Sequence, residues 1–264
     1  MSNDAAASSL PVLFIGHGSP LNAIEENGWS RAFRELGHAL PRPRAILAIS
    51  AHWYGRGSRV TVQERPETIH DFGGFPQALF EVQYPAPGAP ELARRVRELV
   101  GVEVVRESTE WGLDHGTWSV LVHLFPAADV PVVQLSLDAA LAPERHLALA
   151  ERLAPLASEG VLVLGSGNAV HNLGDALRRM HTGDSSLPEW AASFDADVAR
   201  ASLEHDGAFL ARALASSNGR AAHPTPEHYL PLLYALGAAQ RDAPVSFPIE
   251  GFDHSLSMRS VRFG

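Results

Sequence analysis

Short apolar runs rich in β-branched residues recur along the chain. They predict buried strands at residues 12–15, 45–49, 130–137 and 161–164. Each run is apolar at consecutive positions rather than at alternate ones, so both faces of each strand should be covered. This pattern is typical of a central sheet with helices packed against it.

Between these predicted strands, apolar residues recur at the spacing of an α-helix. This spacing predicts helices at residues 30–40, 91–100, 143–156, 188–216 (one or two helices) and 228–236, and a further helix that begins near His115. Pro41, Gly101 and Gly237 are expected to end three of them. The alternation of strand and helix predicts an α/β fold, with a mostly parallel central sheet flanked by helices in a single domain over residues 1–264.

Two segments stand outside this alternation. Residues 1–10 are expected to form a disordered N-terminal tail. Residues 65–90 are rich in Pro, Gly and aromatic residues, which predicts a long ordered loop over a site. Within that loop, residues 70–76 and 84–88 are either rigid structural turns or the wall of an aromatic pocket.

The composition excludes several kinds of chemistry. The chain of 264 residues contains no Cys and no Lys, but 13 His. It therefore has no thiolate nucleophile, disulfide, iron–sulfur cluster, Schiff-base amine or P-loop lysine. The net charge of −9 argues against nucleic acid as a partner. No apolar run is long enough to cross a membrane and no signal peptide is evident, so we expect a cytoplasmic protein.

Three of the histidines follow predicted strands directly. His17, His52 and His171 come just after the runs at 12–15, 45–49 and 161–164, each beside Gly, Ser or Asn. In an open α/β sheet, ligands bind in the crevice at the carboxyl ends of the strands, so the active site is expected there. Imidazole suits Fe, Zn, Cu and Ni, and convergent histidines can hold such a metal without Cys.

The other interpretation of a single histidine is a surface residue or a hydrogen-bonded core residue. His146 and His181 are expected at solvated helix positions, and His70 and His223 are left uncertain. The histidines without an assigned role are His38, His123, His146, His181, His205 and His254. The glycine-rich segments 16–19 and 165–168, the second of which contains Ser166, are interpreted as tight strand-to-helix turns. Neither completes a phosphate-binding or nucleophile-elbow motif.

Taken together, motifs along nearly the whole chain resemble one enzyme family. They lie at residues 16–20, 50–53, 70–76, 84–88, 113–118, 165–173, 223–236 and 255–261. This set is similar to the class III extradiol ring-cleaving dioxygenases, and most similar to their DOPA 4,5-dioxygenase-like branch. The resemblance extends from about residue 11 to residue 264.

The resemblance implies a non-haem metal, normally Fe(II) with Zn as an alternative, bound by His17 and His52. A third ligand would come from His228 or from the adjacent Glu227, since better-known relatives carry a Glu there. His171 matches the family's second-sphere base and is close enough to bind the metal in some states. His115 matches a histidine that contacts the substrate or oxygen.

The leading hypothesis is therefore an extradiol dioxygenase that inserts O2 into the ring of a small catechol, DOPA or a related catecholic acid, to give a ring-opened semialdehyde. Ser19, Asp114 and Asn172 are expected to bind the substrate. Two alternatives stay open: a zinc hydrolase that uses the same pocket, and a protein that binds a metal or small molecule without turnover. Only a catechol and O2 are expected as partners, and the oligomeric state is left open.

Overall fold

The computed structural model describes residues 9–264. The strands are β1 (Val12–Gly16), β2 (Ala45–Ser50), β3 (Tyr54–Gly55), β4 (Ser58–Thr61), β5 (Val105–Ser108), β6 (Val132–Gln134), β7 (Leu137–Asp138), β8 (Val161–Gly167), β9 (Val245–Ile249), β10 (Phe252–Asp253), β11 (Leu256–Ser257) and β12 (Ser260–Phe263). The helices are α1 (Gly28–Ala39), α2 (Gln77–Phe80), α3 (Pro90–Val100), α4 (His115–Leu124), α5 (Pro143–Glu151), α6 (Pro155–Ser158), α7 (Leu173–Thr182), α8 (Glu189–Leu203), α9 (Gly207–Arg212), α10 (Ser217–Ala222) and α11 (Leu230–Ala238). Two 3₁₀ turns lie at Pro20–Ala23 and Ala213–Ala215.

Six strands form the central sheet, in the order β6-β2-β8-β1-β12-β9. β6, β2, β8 and β1 run parallel, while β12 and β9 add an antiparallel edge. β1, β2 and β8 are buried along their whole length. The predicted α/β class with a mostly parallel central sheet flanked by helices is therefore confirmed.

The two faces of the sheet pack against separate hydrophobic cores. In β1, Val12 and Phe14 point into one core, whereas Leu13 and Ile15 point into the other. Burial on both faces requires apolar residues at consecutive positions. The apolar runs are continuous because a hydrophobic core covers each face of the central sheet.

One predicted strand proves to be two. The run at 130–137 divides into β6, in the central sheet, and β7, which pairs with β3. The chain leaves the sheet at Ser136, whose backbone N–H donates to the Arg59 carbonyl at 2.8 Å and whose Oγ accepts from the Arg59 N–H at 2.7 Å. At Ser136, hydrogen bonds to β4 thus take the place of the hydrogen bonds to β2 that would have extended β6.

The helix predicted at 143–156 is also divided, into α5 and α6. Pro155 has no N–H to donate to the carbonyl of Glu151, so the first helix cannot continue through it. The stretch 188–216 contains α8 and α9, as expected for two helices. Between them His205 has a φ of 51°.

The last helix runs past its predicted end. α11 continues to Ala238 and includes Gly237, which was expected to stop it. A Cβ at Gly237 would lie 2.7 Å from the Cβ of Ala150. Gly237 therefore allows α11 to pack closely on α5 and does not act as a helix terminator.

Strands β9 and β12 were not predicted. β9 is only partly buried, with exposed and intermediate residues alternating along it. Only one face of such an edge strand meets the core, so its sequence has no continuous apolar run that would predict it.

His146 is the clearest correction among the histidines outside the site. It was expected to be solvated, but it is fully buried between α5 and α11, with Nδ1 3.1 Å from the hydroxyl of Tyr234. Burial lowers the pKa of His146 to about 4. His181 is exposed on α7, as predicted.

The predicted tail at residues 1–10 falls largely on residues 1–8, outside the described residues. Leu10 is buried and donates its backbone N–H to the Ala157 carbonyl at 3.0 Å, so the packed chain reaches back at least that far. Across residues 9–264, none of the helices combines the length and the apolar character needed to span a membrane.

Candidate metal centre

Three histidines converge beyond the carboxyl ends of the parallel strands. His17 follows β1 and His52 lies just beyond β2. These strands flank β8, so their carboxyl ends meet at one edge of the sheet. His228 reaches the same place from the segment before α11. One ring nitrogen from each histidine lies within 4.8 Å of the others.

His228 reaches this position because its backbone packs on the end of β8. Its carbonyl accepts a hydrogen bond from the Asn168 N–H at 2.9 Å. A Cβ at Gly167 would stand 2.1 Å from the same carbonyl oxygen, so only glycine permits this approach. The glycine-rich segment after the strand, interpreted from the sequence as a simple turn, therefore also seats a member of the cluster.

The hydroxyl of Ser166 determines the tautomer of His17. Ser166 donates its single proton to the carbonyl of Gly116, so its oxygen must accept a hydrogen bond from His17 Nδ1, 3.0 Å away. His17 Nε2 then carries a lone pair, and it lies 3.4 Å from His52 Nε2. No function was expected of Ser166 from the sequence, although its place at the end of a buried strand was a signal.

The carboxylate of Asp71 lies behind two of the site histidines. Its Oδ2 is 3.3 Å from His52 Nδ1, and its Oδ1 is 2.9 Å from both Nδ1 and the backbone nitrogen of His115. The rings of His52 and His115 are 3.7 Å apart between centroids. Asp71 was not singled out from the sequence, and only its place in the segment 70–76 hinted at a role.

The structure places His228, and not Glu227, in the cluster. Glu227 accepts a hydrogen bond from the hydroxyl of Thr225 at 2.8 Å, and its Oε1 is 3.3 Å from His228 Nδ1. Glu227 thus lies behind the imidazole, the usual place for a carboxylate that orients a histidine ligand.

His171 is near the cluster but is not one of its three members. Its ring stacks on that of His228, with centroids 3.5 Å apart and planes inclined by 2°. The residue is partly exposed at the site. His171 therefore lies beside the cluster, and both its metal-binding role and its acid–base role stay predictions.

The imidazole rings of the three cluster histidines and of His171 all favour the neutral form. Burial lowers the pKa values of His17 and His228 well below 6.5, and the neighbouring histidines lower them further. Burial, then the charge of His115, lowers the pKa of His52 to about 3, and burial lowers that of His171 to about 4. A neutral imidazole is the form that binds a metal, so the cluster needs no proton loss near neutral pH.

Asp114 does not have the predicted substrate-binding position. It is fully buried, and it caps α4 by accepting a hydrogen bond from the Thr117 N–H at 3.2 Å. Its Oδ2 accepts from Trp111 Nε1 at 3.1 Å and from the amide of Gln134. With both oxygens occupied and no exposed surface, Asp114 holds the start of α4, and the expectation of a substrate contact is corrected.

The side-chain amide of Asn172 also forms hydrogen bonds within the protein. Its Oδ1 accepts from the Asp175 N–H at 3.0 Å as the cap of α7, and its Nδ2 donates to the Ala221 carbonyl at 2.8 Å. The amide is partly exposed and keeps a second N–H and a second lone pair, so a substrate contact by Asn172 stays a prediction. Ser19 is partly exposed and accepts from the Leu21 N–H at 3.3 Å, so its hydroxyl proton is not committed there and its role stays a prediction.

The long loop at 65–90 brings an aromatic wall to the site. The ring of Phe72 lies 5.3 Å from that of His115 and packs against Phe75 and Phe80, at 5.3 and 5.0 Å between centroids. Tyr84 is buried instead and donates its hydroxyl to the Phe125 carbonyl at 3.0 Å. Of the two open interpretations, the pocket wall suits Phe72 and the structural turn suits the segment around Tyr84.

His70 and His223 both bond to backbone carbonyls. His70 Nε2 is 3.0 Å from the Val82 oxygen, and His223 Nε2 is 2.9 Å from the Ala169 oxygen. Both contacts hold loops next to the site, which gives these two histidines a structural role.

Comparison with known proteins agrees with the resemblance found in the sequence. Residues 12–261 match the family model described as the catalytic LigB subunit of aromatic ring-opening dioxygenase. The chain is 47% identical to 4,5-DOPA dioxygenase extradiol of Escherichia coli (strain K12), over 98% of this chain and 96% of that protein. It is 41% identical to the protein of the same name from Beta vulgaris, over 95% of each chain.

A solved structure shares the fold. The crystal structure of an uncharacterized protein, JW3007, from Escherichia coli K12 superposes with a TM-score of 0.83 at 42% identity, over 97% of this chain and 100% of that one. Sequence motifs, strand-end histidines and fold thus agree, and the chain belongs to the LigB family of aromatic ring-opening dioxygenases.

Proposed function

We propose that this protein is a metal-dependent extradiol dioxygenase whose substrate is a small catechol, DOPA or a related catecholic acid. The observation that carries the proposal is the convergence of His17, His52 and His228, with one ring nitrogen from each within 4.8 Å. The choice of substrate is supported by the relatives named 4,5-DOPA dioxygenase extradiol.

The three histidines fit a non-haem metal ion. Ser166 and Asp71 hold the Nδ1 atoms of His17 and His52, which leaves Nε2 of each free for a metal. An all-nitrogen set accepts Fe(II), which we expect, and also Zn. When bound, such an ion supplies a template that holds catechol and O2 side by side, which replaces a bimolecular encounter by an oriented one.

Side chains around the three histidines would then transfer protons, bind the catechol and limit the access of water. A catechol must lose a proton before it can chelate a metal. His171, which is neutral and partly exposed, would take that proton and later return it. His115, whose Nδ1 faces Asp71, can present Nε2 to a catechol hydroxyl. Phe72 covers one side of this space with an apolar ring.

The test is reconstitution of the metal-free protein with Fe(II) under nitrogen, followed by aerated DOPA and a panel of catechols. We expect oxygen uptake and the yellow absorption of a ring-opened semialdehyde. His17→Ala should lose bound metal, His171→Ala should keep metal and lose turnover, and the exposed His181→Ala should behave as wild type. No oxygen uptake with any catechol would contradict the proposal.

The all-histidine cluster also favours a second candidate, a zinc hydrolase. Three neutral imidazoles are a common set for catalytic zinc, which lowers the pKa of a bound water to about 7. Metal analysis of protein purified under nitrogen separates the two candidates. Activity restored by Zn but not by Fe(II), on an ester and not on a catechol, would select the hydrolase.

A further inference from the structure

Asp71 joins two histidines that have different tasks in the proposed function. One oxygen of its carboxylate faces His52, a member of the three-histidine cluster, and the other faces His115, which lies outside that cluster. The side chain of Asp71 is 15% exposed and that of His115 is 8% exposed, so water competes little for these contacts. One carboxylate is therefore shared between the metal centre and the substrate side of the site.

The backbone of the long loop delivers Asp71 to this place. The N–H of Ile69 donates to the Leu113 carbonyl at 2.7 Å, and the N–H of Leu113 donates to the Glu67 carbonyl at 2.7 Å. Asp71 is two residues beyond Ile69 and His115 is two residues beyond Leu113, so this parallel register brings them together. The position of the carboxylate is thus built into the loop.

A carboxylate offers only acceptors, so a neutral imidazole that turns Nδ1 to within 2.9 or 3.3 Å of it is favoured in the tautomer with the proton on Nδ1. This leaves the lone pair of both histidines on Nε2. In His52 that atom points at His17 Nε2, 3.4 Å away, where a metal would be shared. In His115 it is the atom left for a substrate hydroxyl.

We propose that Asp71 is a positioning residue that sets the ring orientation and tautomer of His52 and His115 together. Metal affinity and the hydrogen bond to the substrate then depend on the same carboxylate. The proposal rests on the proposed function for what His115 contacts, but its effect on His52 does not require turnover.

The first test measures Zn(II) affinity of the metal-stripped protein by competition with a chromophoric chelator. Asp71→Asn keeps the shape but turns an N–H donor toward one of the two imidazoles. We expect Zn(II) affinity to fall roughly 10–100-fold, the usual cost of losing such a partner. The matched control is Asp253→Asn, which removes the carboxylate from another Asp–His pair, Asp253 with His254 at 2.8 Å, and should leave Zn(II) affinity unchanged.

The second test reads the tautomers directly, by long-range proton–nitrogen NMR of the histidine rings in the Zn-loaded protein. Wild type should show the Nδ1–H form for His115, and Asp71→Asn should change it. His115→Ala keeps the 3.3 Å contact between Asp71 and His52, so it should lower Zn(II) affinity less than Asp71→Asn does. Zn(II) affinity of Asp71→Asn equal to wild type, or an unchanged His115 tautomer, would overturn the proposal.

These readouts separate the two proposals. If the wild-type protein cleaves no catechol, the proposed function fails while the Zn(II) and NMR results still decide the role of Asp71. If it does cleave a catechol, kcat/KM of Asp71→Asn should stay low at saturating Fe(II), because His115 remains misoriented when the metal is restored. Full recovery at saturating Fe(II) would contradict the part of the proposal that concerns His115.

Discussion

Protonation of His146 should make the stability of this protein depend on pH. The imidazole is fully buried between α5 and α11 and contacts the hydroxyl of Tyr234. Burial lowers its pKa from 6.5 to about 4, although the carbonyl and the charge of Asp138 act in the opposite direction. The folded protein therefore prefers this histidine neutral, whereas the unfolded chain protonates it near pH 6.5.

The sign and size of the effect follow from linkage. Between the two pKa values the unfolded state binds more protons than the folded state, so stability is lost as the pH falls. A shift from 6.5 to about 4 corresponds to about 3 kcal/mol when titration is complete. Between about pH 8 and about pH 5, the loss from this one residue is about 2 kcal/mol.

The assay is urea unfolding of metal-free protein at those two pH values, for wild type and for the double variant His146→Leu/Tyr234→Phe. Replacing both partners leaves no unpaired hydroxyl in the core. The other buried histidines titrate in both proteins and cancel in the difference. We expect the pH dependence of the double variant to be smaller by about 2 kcal/mol, and that of the exposed His181→Gln to equal wild type. Equal pH dependence in the double variant and wild type would refute the reasoning.

Two further predictions concern a buried ion pair and a glycine that packs against His228. Arg259→Met leaves Asp195 as a buried carboxylate without its bidentate partner, so the free energy of unfolding measured in urea should fall by about 3–5 kcal/mol. A loss below about 1 kcal/mol, typical of an exposed pair, would contradict this. Gly167→Ala places a Cβ 2.1 Å from the His228 carbonyl oxygen, so bound Zn per protein should drop, whereas Gly174→Ala meets nothing closer than 3.6 Å and should keep its metal. Equal metal content in the two variants would show that this close approach does not seat His228.

The strand-end histidines were predictable because strand burial is a local property of the sequence. A run that is apolar at every position marks a strand covered on both faces, and parallel strands bring their carboxyl ends to one edge. His17 and His52 followed from that argument alone. His171 also follows such a strand, yet it stacks on a member of the cluster instead of joining it.

The remaining assignments needed contacts between distant parts of the chain. From the sequence, Asp114 and Asn172 were expected to bind the substrate. In the structure, each residue caps a helix with its polar atoms. Asp71 lies in a loop without periodicity, and its partner His115 is 44 residues away. No pattern within a window of neighbouring residues reports such a bond.

The sequence by itself determined the α/β class, the exclusion of thiol and lysine chemistry, and the edge of the sheet at which histidines gather. Only the tertiary structure decided that His228 and not Glu227 enters the cluster, and which nitrogen of each ring faces it. The physical reason is that burial patterns depend on side-chain polarity along the chain, whereas ring orientation depends on hydrogen-bond partners. For His17 that partner is Ser166, 149 residues away, which only the folded sheet brings into contact.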